Sequence, residues 1–147
     1  MAFVIEQILS IDAPAERVWW VVCDLASYAE WNPFVVSCAS TLVVGDPISM
    51  RVRLFPLFAQ RQREQILAHE HGRMLCYGLP RSRLGALVSQ RSHEVTPVGA
   101  SRTRYVSHFE LSGWLAPLVE FLLGRRLRAG FSAMSAALQA RAEATSR

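Results

Sequence analysis

Residues 11–34 constrain the fold more than any other part of this chain. They read Ile11-Asp12-Ala13-Pro14-Ala15-Glu16-Arg17-Val18-Trp19-Trp20, continue to Asp24, and close with Tyr28-Ala29-Glu30-Trp31-Asn32-Pro33-Phe34. A strand leads in, because Phe3, Ile5, Gln7, Leu9 and Ile11 recur at a period of two. Pro14 then suits the first turn of a helix, where its missing N–H has no partner to lose. Asp12 or Ala13 is the expected cap, and Glu16 lies near the positive end of the helix. Val18, Trp19, Val21, Val22 and Leu25 supply its apolar side. Pro33 disfavours helical geometry at Asn32, which ends a second, shorter helix.

Six strand-like runs follow, at residues 34–44, 48–55, 60–69, 73–79, 86–95 and 102–112. Each is bounded by Gly, Pro or Asp signals. From Trp114 to about Arg141 the period becomes helical. Leu115, Val119, Leu122, Leu123, Leu127, Phe131, Met134 and Leu138 make one stripe at three- and four-residue spacing. Gly124 and Gly130 interrupt this helix; they allow a bend or a close approach of the sheet. The order is strand, two short helices, six strands, long helix. The sequence thus predicts an α+β fold in which a meander of about seven strands curls around one amphipathic helix.

Half of the 147 residues are apolar, enough for one domain with a sizeable core. No run reaches the roughly 18 apolar residues of a membrane span. The N-terminus lacks the basic, apolar and small-residue pattern of a secretion signal, so the expectation is a cytoplasmic protein without stable membrane insertion. The net charge of +4 rests on sixteen arginines and no lysine, which removes Schiff-base chemistry. The arginines are scattered and form no basic helix or aromatic-rich basic stripe, so nucleic acid is not an expected partner. Cys23, Cys38 and Cys76 fit neither a disulfide framework nor a zinc motif.

The ordered pieces resemble the START-like (SRPBCC) superfamily, in particular its polyketide cyclase/dehydrase-like branch. The matching residues are Ile11-x-Ala13-Pro14-x-x-x-Val18-Trp19, Asp24 with Trp31-Asn32-Pro33-Phe34, Gly45-Asp46, Gly72-Arg73-x-Leu75, Thr103-Arg104, Ser112-Gly113 with Leu115-Ala116-Pro117-Leu118, and Phe131-x-x-Met134-x-x-x-Leu138. The resemblance covers nearly the whole chain and implies a helix-grip fold with a mostly apolar cavity between sheet and C-terminal helix. It implies less about activity, because the superfamily holds carriers, aromatase/cyclases and oxygenase domains.

Strand parity selects the cavity face. In the last strand Thr103, Tyr105, Ser107, Phe109 and Leu111 share the less charged side, leaving His108 and Glu110 outside. In the preceding strand Leu87, Ser89, Arg91, His93 and Val95 share the side that needs burial. The family pattern carries a His and an aromatic residue near Arg91 and His93, and an acid near Phe109, so this chain departs from it. An inward arginine is costly unless paired. Arg91 either clamps an acidic ligand group or pairs with Glu64. His93 is either the general acid/base, with Tyr77 and Tyr105 placed to orient an enol or phenol oxygen, or a satisfied core histidine. The expected ligand contacts are Tyr77, Arg91, His93, Tyr105, Ser107, Phe109, Phe131 and Met134. His69 and His71 flank a turn beside Glu70, without a third ligand at metal spacing. Two loops, Phe55-Pro56-Leu57-Phe58 and Pro80-Arg81-Ser82-Arg83-Leu84-Gly85, are candidates for the cavity rim; the two phenylalanines serve equally well as caps on the core.

Three functions fit these residues. The first is reversible binding of a small hydrophobic or amphipathic molecule such as a lipid, polyketide or aromatic metabolite. The second is a polyketide cyclase/aromatase or dehydratase that uses His93 and needs no metal or redox cofactor. The third is a non-enzymatic regulatory or interaction module. A homodimer is compatible with all three.

Overall fold

The computed structural model describes residues 2–79 and 84–145. Strand β1 (Phe3–Ile11) leads into helix α1 (Ala15–Cys23), a 3-10 turn (Leu25–Ser27) and the short helix α2 (Tyr28–Trp31). Strands β2 (Val35–Ser40), β3 (Pro47–Phe55), β4 (Phe58–Glu70), β5 (Met74–Gly78), β6 (Val88–Gly99) and β7 (Arg102–Ser112) follow, and helix α3 (Ala116–Thr145) is the last described element. The seven strands form one antiparallel sheet in the order β1-β7-β6-β5-β4-β3-β2, a meander closed by β1. The pattern read from the sequence is present throughout, with trimmed ends: the run at 34–44 pairs only over β2, and β6 extends past Val95 to Gly99.

The N-terminal block folds by local rules, with one change. Pro14 is itself the cap of α1, at φ −61° and ψ 149°. Its carbonyl accepts from Arg17 N at 3.0 Å and Val18 N at 3.2 Å. Asp12, an expected cap, instead meets Arg102 at 3.3 Å. The Asn32 side chain accepts from the backbone of Phe34 and Val35 at 3.0 and 2.9 Å, turning the chain from α2 into β2. Thr103 Oγ1 donates to Ala13 O at 2.7 Å and ties the start of α1 to β7.

Helix α3 spans thirty residues, about 45 Å of rise, across the concave face of the sheet. Its second half is in the core: Phe131, Met134, Leu138 and Ala142 are buried with Ile11, Ala13, Val18 and Val22. Gly130 is what allows the close approach. A Cβ there would lie 2.3 Å from the Phe34 ring, whereas one at Gly124 would meet Phe3 at 3.7 Å, an ordinary contact. Gly130→Ala is therefore expected to lower stability by about 1–3 kcal/mol through overpacking, despite alanine's better helix propensity. Gly124→Ala should leave stability unchanged or raise it by up to about 1 kcal/mol. Thermal melts of both variants check the contrast.

Candidate functional site

Between the first half of α3 and the sheet lies a cavity of about 460 Å³, within the usual range for small-molecule sites. Val119, Leu123 and Leu127 of α3 form its roof; Val52, Leu54, Leu87 and Leu111 form apolar walls. It opens along a seam in the sheet. Strand β4 pairs with β5 only over residues 65–70, because β5 stops at Gly78. Residues 60–64, of both parities, consequently line the cavity alongside Leu79 and Leu87. The hairpin tip beside this opening is exposed at Leu57 and Phe58, and Phe121 and Leu122 of α3 are exposed as well. Phe58 therefore does not cap the core; it stacks on Phe55 at 5.4 Å, and Arg126 lies over that ring at 4.6 Å. Of the second candidate rim loop, residues 80–83 lie outside the described residues.

The polar end of the cavity is a row across three strands. Tyr77, Arg91 and Phe109 are direct partners in register on β5, β6 and β7, so their side chains share one face. Arg91 is buried. Its Nη1 donates to Ser107 Oγ at 2.6 Å and to the carbonyls of Ser92 and His108 at 3.3 and 3.5 Å. Its Nη2 faces only the Met134 sulfur, at 3.6 Å. The guanidinium also lies over the Phe131 ring, 4.7 Å from the centroid, a favourable site for a cation. The Arg91–Glu64 pair weighed from the sequence does not form: among the described residues Arg91 makes no ion pair. Glu64 instead accepts from Ser89 Oγ at 3.3 Å, and Ser89 accepts from Leu79 N at 3.0 Å. Burial pushes the Glu64 carboxyl up, against the Ser89 and Gln62 hydrogen bonds and the Arg91 charge, which pull it down.

Of the eight residues expected to contact a ligand, Tyr77, Arg91, Phe109 and Phe131 line the cavity. His93, Tyr105, Ser107 and Met134 are fully or almost fully buried and stand behind that wall. His93 is therefore not part of the cavity lining. Its Nδ1 is 2.6 Å from the Tyr105 hydroxyl and its Nε2 is 3.2 Å from the Tyr77 hydroxyl. Burial, reinforced by the Arg91 charge, holds the imidazole well below its ordinary value. Burial likewise pushes both phenols up. The chain Tyr77–His93–Tyr105 is thus uncharged near neutrality, and Tyr77 is its member at the cavity. Glu64, Gln62, Gln60, Arg61, Arg63 and Ser89 are the polar lining residues that the ligand set lacked. The alternation of Gln60, Gln62 and Glu64 on β4 is the signal for the first two.

Elsewhere, His69 and His71 pack against the Trp19 ring at 5.7 and 6.2 Å, and His69 Nδ1 is 2.8 Å from Leu42 O. His108 pairs with Glu6 at 2.8 Å on the outer face. Burial pushes the Cys23 thiol up to about 11 and that of Cys38 up to about 12, leaving neither as a ready thiolate. No helix among the described residues is long and apolar enough to cross a membrane.

A curved antiparallel sheet gripping a C-terminal helix over an internal cavity is the helix-grip architecture of the START-like superfamily. The chain belongs to the family described as polyketide cyclase/dehydrase and lipid transport, whose model matches residues 3–143. The fold is similar to the Zhui aromatase/cyclase from Streptomyces sp. R1128, with a TM-score of 0.71 and 16% identity over 100% of this chain and 97% of that one. It is similar to a START superfamily protein from Mycobacterium smegmatis, with a TM-score of 0.71 and 17% identity over 97% of this chain and 98% of that one. Norcoclaurine synthase from Thalictrum flavum gives a TM-score of 0.73 and 16% identity over 100% of this chain and 98% of that one. A search of curated protein sequences finds no match.

The buried histidine makes stability depend on pH. Below its ordinary value of 6.5 the imidazole of the unfolded chain takes up a proton that the folded chain refuses. The unfolded state then binds more protons, so stability falls as pH falls. Glu64 acts with opposite sign, since its raised carboxyl protonates first in the folded state. Comparison with His93→Gln, which keeps one donor and one acceptor, isolates the histidine. Below about pH 6.5 the wild type should lose up to about 1.4 kcal/mol per pH unit more than the variant, read from urea melts between pH 8 and 5.

Proposed function

We propose that this protein reversibly binds a small apolar or amphipathic molecule in the cavity between α3 and the sheet. The observation that carries the reading is the cavity itself: about 460 Å³, roofed by aliphatic side chains, with polar groups supplied by Tyr77, Ser89, Arg91 and residues 60–64 of β4. Such a site buries an apolar body and orients it through a few polar contacts. Arg91 supports an electron-rich or acidic head group, because its buried charge has no carboxylate in ion-pair contact among the described residues. The family description and the aromatase/cyclase neighbour favour polyketide, aromatic or lipid ligands over sugars or nucleotides.

Native mass spectrometry of freshly purified protein, followed by denaturing extraction, tests this reading. A stoichiometric apolar molecule released on unfolding is the expected result. A bare protein that also takes up no fatty acid or aromatic polyketide would overturn it. Leu123→Trp, which places an indole in the roof, should reduce uptake of an apolar fluorescent probe at least about tenfold while leaving the circular dichroism spectrum intact.

A second reading, a cyclase/aromatase or dehydratase, is favoured by one observation: Tyr77 connects the cavity wall to the buried His93. In that reading the tyrosine meets the substrate and His93 is a positioning residue. Tyr77→Phe would then abolish turnover of a polyketide chain while retaining its binding.

A further inference from the structure

Arginines that are scattered along the sequence are brought together by strand pairing on the outer face of the sheet, away from α3. In register, Ser37, Arg51 and Arg61 form one row across β2, β3 and β4. Ala39, Ser49 and Arg63 form the next row on the same face. Cys38, Met50 and Gln62 make the row between them and point to the other side. Burial agrees with this parity: Arg51, Arg61 and Arg63 are exposed, whereas Met50 is buried and Gln62 partly buried. These nine residues line an open concavity of about 530 Å³. Its lining includes both outward rows, which places it on the outer face, with the backbone of the middle row as its floor. Arg61 and Arg63 border the inner cavity too, at the seam beside β4.

The charges in this block repel one another. Arg51 lies directly opposite Arg61 and diagonal to Arg63, with Cβ separations of about 5 and 7 Å. Like charges so placed destabilise a sheet, and arginine does not shed its proton. Among the described residues none of the three makes an ion pair. No aspartate or glutamate lines the concavity, and Arg53 follows Arg51 on the same face of β3. Guanidinium groups match phosphate oxygens bidentately, and Ser37 and Ser49 add hydroxyl donors between them. Rows on one face are about 7 Å apart and neighbouring strands about 5 Å, a span for one or two phosphates. No aromatic side chain lines the concavity to stack a base, which disfavours a single nucleic-acid strand. We propose that this concavity binds the terminal phosphate or diphosphate of an organic ligand, at a site separate from the cavity under α3. The bound anion turns the repulsion among the arginines into attraction, so ligand binding and stability are coupled here.

The test titrates pyrophosphate into the protein by calorimetry at constant ionic strength, with thermal melts in parallel. Wild-type protein should bind it saturably. Arg51→Gln and Arg61→Gln should each weaken that binding at least about tenfold. In low salt without pyrophosphate the same variants should melt about 1–3 °C higher than wild type, because a like charge is gone. With pyrophosphate the order should reverse, a crossing that loss of a merely structural contact would not produce. Arg104→Gln, exposed on β7 opposite Ser10 and Thr96, controls for net charge and should leave pyrophosphate affinity unchanged. Circular dichroism confirms that the variants fold. Cosedimentation with phosphatidylcholine vesicles, with and without phosphatidic acid, identifies the source of the phosphate. Pyrophosphate binding lost in the Arg51 and Arg61 variants supports the site with a soluble ligand. Binding only to phosphatidic acid vesicles, lost in the same variants, supports it with a lipid headgroup. Binding of neither probe overturns the proposal, as does an equal loss in Arg104→Gln or binding that survives Arg51→Gln and Arg61→Gln.

Discussion

The structure depends on how α3 is held, and it is held unevenly. Its second half is pressed onto the core, with Met134, Leu138 and Ala142 fully buried and Gly130 admitting the Phe34 ring at a distance no other residue would allow. Its first half packs less completely: Val119 and Leu123 are only partly buried, and with Leu127 they line the cavity. A close-packed interior disfavours voids, so a cavity survives only where the backbone on both sides is fixed by something else. Here the sheet fixes one side, and the C-terminal half of α3 fixes the other. The N-terminal block contributes to this anchoring, because α1 supplies Val18 and Val22 to the cluster that grips the end of the helix.

The same unevenness places the polar groups. Tyr77, Arg91 and Phe109 lie on one row of the sheet, beneath the open half of the helix. His93 and Ser107, one row further along, are direct partners in register and stand behind the cavity wall, as do Tyr105 and Met134. One network therefore crosses from cavity to core. Its core end is rigid and fully bonded. Its cavity end keeps a donor in reserve on the Arg91 Nη2 that meets only a thioether. The arginine is tolerated through a serine hydroxyl, two carbonyls and an aromatic face; no carboxylate neutralises it by direct contact.

Strand parity is legible in sequence because side chains alternate strictly, and it assigned the inward face of both β6 and β7. Depth along a strand is not legible in the same way. Arg91 and His93 share a face, a type of environment and a spacing of two, yet only one meets the cavity. What separates them is where α3 presses down, which is set by contacts between residues more than a hundred positions apart in parts of the core. The seam beside β4 was hidden for a related reason. It arises because β5 is five residues long and β4 thirteen, a mismatch visible only once pairing is known. Glu64 was weighed as a partner for Arg91 because both face inward. The distance between them depends on sheet curvature, which no local pattern encodes, and Ser89 occupies the place at Glu64 that the arginine was expected to fill.

These features bear on how binding and stability are linked. At the cavity wall the Arg91 Nη2 meets only a thioether, so hydrogen-bonding capacity is held there for a ligand. A ligand that supplies an acceptor there removes a desolvation cost that the empty protein carries. By mass action it also stabilises the folded state in proportion to its occupancy. A hydrocarbon fills the same volume and gains only the apolar term. The difference between the two lies with the polar groups of the wall, Arg91 among them, and not with cavity size.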